Sequence, residues 1–92
     1  MNKNVNIQGV VLAAKQKVVA GILQSDFLLS VRETIDENSV KTCQYFVTAK
    51  GVFINPGDKI RVSGRLTIVT YTNTMGENKI VKKIIADNIQ YI

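Results

Sequence analysis

The sequence predicts an all-β domain of five strands bent into a small barrel, and three observations point to it. Apolar residues recur at every second position over most of the 92 residues, the period of a strand with one buried and one polar face. Clusters of turn-forming residues divide that alternation into five runs. Each run is longer than the usual five or six residues, which suits strands that curve around a barrel with glycine at the bends.

Strand one is expected over 4–12, where Val5, Ile7 and Gly9 alternate with Asn6, Gln8 and Val10. Val11 to Ile22 is the one stretch with a helical period, but Gly21 and the mixed Lys15-Gln16-Lys17 spoil it. It is read as the end of strand one, a loop, and the start of strand two, 21–34. There Phe27, Leu29 and Val31 alternate with Leu28, Ser30 and Arg32. The polar run Ile35–Ser39 is a turn into strand three, 41–50, where Tyr45, Val47 and Ala49 alternate with Gln44, Phe46, Thr48 and Lys50. Asn55-Pro56-Gly57-Asp58 is a turn, because proline presets φ and the following glycine supplies positive φ. Strand four, 58–72, sets Ile60, Val62 and Gly64 against Lys59, Arg61, Ser63 and Arg65. Asn73–Asn78 turns the chain into strand five, 79–91, as a hairpin. Gly9 and Gly64 fall where barrel corners belong. Five such strands fit an OB-fold or an SH3-like barrel. Periodicity does not choose between them.

Composition narrows the function classes. The length fits one domain, 1–92, and 46% hydrophobic residues argue for a packed core. No apolar run approaches the ~20 residues that span a bilayer. The N-terminus leads into alternation and not into a signal-peptide h-region. A cytoplasmic protein with no membrane partner is expected. Histidine is absent and Cys43 is the single cysteine, so an internal disulfide, a zinc site, a Ser-His-Asp triad and a Cys-His dyad are all excluded. Neither an enzyme nor a bound cofactor or metal is expected. Twelve Lys and Arg against seven Asp and Glu leave a net charge of +5, which favours a polyanionic partner, nucleic acid before an anionic membrane surface.

The ordered set of short signatures resembles the DNA-binding domain of the bacterial single-stranded DNA-binding protein family. Asn6-Ile7-Gln8-Gly9-Val10-Val11 is similar to its first strand, Phe27-Leu28-Leu29-Ser30-Val31 to its second, and Tyr45-Phe46-Val47-Thr48-Ala49-Lys50-Gly51 to its third. Pro56-Gly57-Asp58-Lys59-Ile60-Arg61-Val62-Ser63-Gly64-Arg65-Leu66 resembles its fourth. Tyr71, Gly76 and Ala86-Asp87-Asn88-Ile89 continue the likeness. The resemblance implies a five-stranded OB-fold β-barrel that binds single-stranded DNA in replication, recombination or repair. It also implies a homo-oligomer, dimer or tetramer, associating through strand one. Three departures stand out. Gly51 to Asn55 leaves room for a turn where the family has a short helix. The family's long acidic-tipped tail has no counterpart before Ile92. Gln44, Lys50 and the position near Ile35 fall where stacking aromatics usually lie, and Tyr71 alone keeps one. The short outline is also similar to primosomal replication protein B.

Single strands are held by a basic groove plus aromatic rings that stack on bases. Strand parity puts Phe46, Thr48 and Lys50 opposite Tyr45, Val47 and Ala49, so Phe46 is exposed if the latter face the core. Phe46 and Tyr71 are the stacking candidates. A subunit interface for Phe46 and plain strand packing for Tyr71 are the competing assignments. Charge is expected from Arg32, Lys50, Lys59, Arg61, Arg65, Lys79 and Lys82, with Lys15, Lys17 and Lys83 in the same basic set. Lys82 and Lys83 point to opposite faces, so at most one of them belongs to the groove. Asp26, Glu33, Asp36 and Glu37 are expected together near the second turn, off the path of the phosphates. Binding should be modest, salt-dependent and without sequence preference. RNA satisfies the same chemistry. A protein–protein adaptor on the same scaffold is the alternative.

Overall fold

The alternating runs form strands because one row of each can be buried while the other stays wet. In the computed structural model, which describes residues 3–92, the strands are β1 (Lys3–Val19), β2 (Ile22–Asp36), β3 (Ser39–Lys50), β4 (Lys59–Thr72) and β5 (Asn78–Tyr91). They close into a barrel in the order β1-β2-β3-β5-β4. All neighbours are antiparallel except β3 and β5, which pair in parallel through Phe46–Lys83, Val47–Ile84 and Thr48–Ile85. That short parallel ladder closes the sheet. No helix among the described residues is long and apolar enough to cross a membrane.

The inward rows supply the core. Phe27, Leu29 and Val31 of β2, Tyr45, Val47 and Ala49 of β3, Ile60 and Val62 of β4, and Ile84 of β5 are all buried. The expected parity holds on three strands, and Phe46 is 52% exposed. Ile54 lies in the 51–58 loop and is fully buried. A short loop thus inserts one branched side chain into the core where a helix would otherwise lie. Two polar side chains hold it there. Ser25 Oγ donates to the Val52 carbonyl at 2.6 Å, and Gln16 Nε2 donates to the Ile54 carbonyl. Both satisfy partly buried loop carbonyls that would otherwise cost free energy.

The corners are where the alternation places them. A Cβ on Gly9 would collide with the backbone carbonyl of Ser30, and one on Gly64 with that of Ile85. Adjacent strands therefore approach more closely at these two points than any side chain permits.

The expected boundaries of the first two strands are corrected. Residues 13–19 form no loop: β1 continues to Val19 and pairs with β2 from Val10–Ser30 to Val19–Ile22. A register shift between Val11 and Ala13 inserts one extra residue. After that bulge the inward positions move from 11 to 14 and 16, and the period of two is lost. The turn that follows has only two residues, Ala20 and Gly21, with φ of 51° and 78°. Strand two also runs past its expected end, leaving Glu37-Asn38 as the turn. Asp36 Oδ1 accepts the Asn38 N–H there at 2.9 Å.

Candidate nucleic-acid interface

The outward rows of neighbouring strands meet in an open groove of ≈ 910 Å³. Its floor contains Ala13 of β1, Leu28 of β2, Phe46 of β3 and Ile85 of β5. Register explains the grouping, because Leu28 is the cross-strand partner of both Ala13 and Phe46, and Phe46 also pairs with Lys83. Lys15, Lys50 and Lys83 border this apolar floor, with Asp26 the single acid in the lining. Among the described residues none of the three lysines forms an ion pair, so their charges are available to an anion.

Asp26 is held tightly. Thr48 Oγ1 donates to Oδ1 at 2.9 Å, and Gln24 Nε2 reaches Oδ1 at 3.1 Å and Oδ2 at 3.3 Å. Lys17 Nζ stands 3.6 Å from Oδ2. Burial pushes this carboxyl up, but the hydrogen bonds from Thr48 and Gln24 and the charge of Lys17 together outweigh it. The net shift is downward from 3.8, and the group is ionised at neutral pH. The placement of Asp26 corrects the expected acidic cluster. Asp26 lies in the groove, whereas Asp36 and Glu37 lie at the far end of a 15-residue strand, roughly 33 Å away at the rise of an extended chain.

The structure sorts the other candidates by wall. Phe46 and Lys50 line the groove. Arg65 is the cross-strand partner of Ile85, and Thr67, two residues along the same face of β4, also lines the groove. Arg65 therefore stands at its border. Tyr71 and Lys79 pair further out on the β4–β5 hairpin, on the face shared with Thr67 and Lys83. Tyr71 is 49% exposed, and Lys79 Nζ lies 3.5 Å from Glu77. Arg32 faces outward from β2 opposite Thr42, beyond the lining. Lys59 and Arg61 lie where β4 pairs with the first half of β1 and do not line the groove. Arg61 there donates to Gln8 Oε1 at 3.1 Å.

Lys82 is on the reverse side, with Nζ 5.3 Å from the centroid of the Tyr45 ring. Of the adjacent pair, Lys83 is the groove residue, because it shares the outward parity of Ile85. The apolar floor around Phe46 was not anticipated for Leu28, Ile85 and Ala13. The alternation gave a partial signal for Leu28, which falls on the polar row of strand two without being polar. Ala13 was hidden by the bulge, and Ile85 by the closure of β5 onto β3.

Beyond the groove, the Tyr45 hydroxyl donates to Glu33 Oε1 at 3.0 Å. Burial first, then that bond and the Glu33 charge, push the phenol up to about 12.

No known family model matches the chain, and no curated protein matches it in sequence. Solved structures match it in fold. A small single-stranded DNA-binding protein from Streptomyces coelicolor aligns over 100% of this chain and 95% of its own, with a TM-score of 0.72 and 20% identity. The Plasmodium falciparum SSB in complex with single-stranded DNA aligns over 97% and 93%, with a TM-score of 0.70 and 16% identity. The strand order and these alignments establish the five-stranded OB-fold, as the sequence resemblance implied.

Proposed function

We propose that the chain binds single-stranded DNA along the β2–β3 face without reading a sequence, in replication, recombination or repair. One observation carries the reading: an exposed aromatic ring, Phe46, on the floor of a concave groove bordered by three lysines that form no ion pair among the described residues. A base stacked on an aromatic ring contributes about 1–3 kcal/mol. Lysines along the rim neutralise phosphates and release counterions. The similarity in fold to two single-stranded DNA-binding proteins supports the same reading. Arg65, Tyr71, Lys79 and Arg32 extend the basic and aromatic character beyond the lining. Lys59, Arg61 and Lys82 contribute to the general positive field instead. Self-association, as dimer or tetramer, belongs to the reading, and the pairing of β1 supports it. Lys3–Gly9 pairs with β4 alone and Ala13–Val19 with β2 alone, leaving each half one edge without a described partner.

The test is fluorescence anisotropy with a labelled oligo-dT across a salt series. Three lysine–phosphate contacts imply a loss of roughly 20-fold in affinity between 50 and 200 mM salt. Phe46→Ala should weaken binding about tenfold at fixed salt, and Lys50→Glu should weaken it while flattening the salt dependence. A folded protein that ignores oligo-dT and oligo-dC alike at low salt would leave the apolar floor to a protein partner, the adaptor reading. Parallel titration with oligo-U ranks RNA against DNA.

A further inference from the structure

A groove that only tracked phosphates would gain by having no acid in it, yet Asp26 is there and is fastened in place. Its position relative to the stacking ring is set by the sheet. Leu28 pairs with Phe46 and Asp26 with Thr48, so Asp26 is the diagonal neighbour of Phe46, about 7–8 Å away on one face. A base lying on the Phe46 ring therefore turns an edge toward the carboxylate.

The hydrogen bonds around Asp26 leave one direction open. Oδ1 accepts from both Thr48 and Gln24, while Oδ2 has the longer Gln24 contact and the Lys17 ammonium. A carboxylate offers about four acceptor sites, and Thr48 and Gln24 take three of them. The Lys17 ammonium at 3.6 Å is an ion pair too long for a hydrogen bond. Oδ2 therefore keeps one site for another donor, and the side chain is 38% exposed. What can fill it differs between bases. Cytosine, adenine and guanine each carry an exocyclic amino group that donates. Thymine shows carbonyl oxygens on both sides of its single N–H, and a carbonyl facing a carboxylate is repelled.

We propose that Asp26 gives the groove a base bias, favouring an amino-bearing base over thymine at the position stacked on Phe46. The inference rests on the single-strand reading above and deepens it. The bias is one of composition, superposed on binding that follows no sequence.

Competition between oligo-dC and oligo-dT tests it, with both pyrimidines equal in size and the buffer slightly alkaline so that cytosine N3 stays unprotonated. The parent should bind oligo-dC roughly three- to tenfold more tightly, as one net hydrogen bond at a partly exposed site provides. Asp26→Ala should bring the ratio to about one while strengthening oligo-dT binding, because a negative charge has left the groove. Asp26→Asn preserves the size of the side chain and guards against a folding defect. Its amide N–H can donate to a thymine carbonyl, so the ratio should move toward oligo-dT. Equal affinities in the parent, or a ratio unchanged in both variants, overturn the role of Asp26 and leave the groove standing. Failure of the folded parent to bind either oligonucleotide overturns the single-strand reading and this inference together.

Discussion

Single side chains at the barrel end show how local chemistry reaches global stability. Tyr45 is inward-facing and buried, and its hydroxyl donates to Glu33. An unfolded tyrosine loses its proton near 10.0, whereas Tyr45 in the fold holds it to about 12. The folded state thus binds more protons in that window, and linkage makes stability fall as pH rises from 10 toward 12. Below pH 10 both states keep the proton and the contribution is complete. Denaturant unfolding at a series of alkaline pH values should show this decline. Tyr45→Phe should abolish the decline and cost about 1 kcal/mol at neutral pH through the lost hydrogen bond. The opposite sign applies to Asp26, whose lowered pKa makes its contribution present above 3.8 and lost below it. Tyr45 is legible in the sequence as an alternating position, whereas Asp26 reads there as one of the acids near the second turn. The partners of neither are legible, because Glu33 and Tyr45 are 12 residues apart and meet only through the β2–β3 register.

At the scale of an element, β1 and its turn hold the main departure from the expected strands. A 17-residue strand with a bulge near its centre serves two neighbours, β4 with its first half and β2 with its second. The bulge shifts the inward row by one residue, so a strict period of two cannot follow it. Gln16 adds to the disguise. It is a polar residue on the inward row, held there by a loop carbonyl that lies 38 positions away. The tight turn then carries Ala20 at φ 51°, a left-handed conformation that costs a residue with a Cβ roughly 1–2 kcal/mol. Both central residues of this turn have positive φ, the geometry that favours Asn-Gly. Ala20→Asn should therefore raise stability by up to about 1 kcal/mol, read as a higher denaturant midpoint at unchanged slope. No gain would mean that the turn relaxes without strain.

For the whole molecule, surface and charge matter more than any one contact. A domain of this size buries only about 60–65% of its unfolded surface, and β1 alone exposes Val10, Leu12, Val18 and Val19. Apolar residues beside half-open strand edges are what a second subunit can cover. Sedimentation equilibrium should therefore find a species heavier than the monomer at micromolar concentration. A monomer throughout would remove self-association from the reading and leave those edges to another partner. The positive charge acts at the same scale, as a field that draws a polyanion toward either wall before the groove selects its path.

By itself the sequence determined the all-β class, the five strands, the inward rows of β2, β3 and β4, the two glycine corners, the exposure of Phe46 and the basic character. Each of these follows from period, turn chemistry or composition, which are local properties of the chain. Only the tertiary structure decided which outward rows share a wall. It joined Phe46 and Lys50 with Lys15 and Lys83, chose Lys83 over Lys82, brought Asp26 into the groove and left Lys59 and Arg61 outside it. The physical reason is register. Alternation tells a residue which face of its own strand it occupies, but the bulge in β1 and the parallel closure of β5 onto β3 decide which neighbours it meets there. Those are settled by pairing between distant segments, and no window of sequence contains both partners.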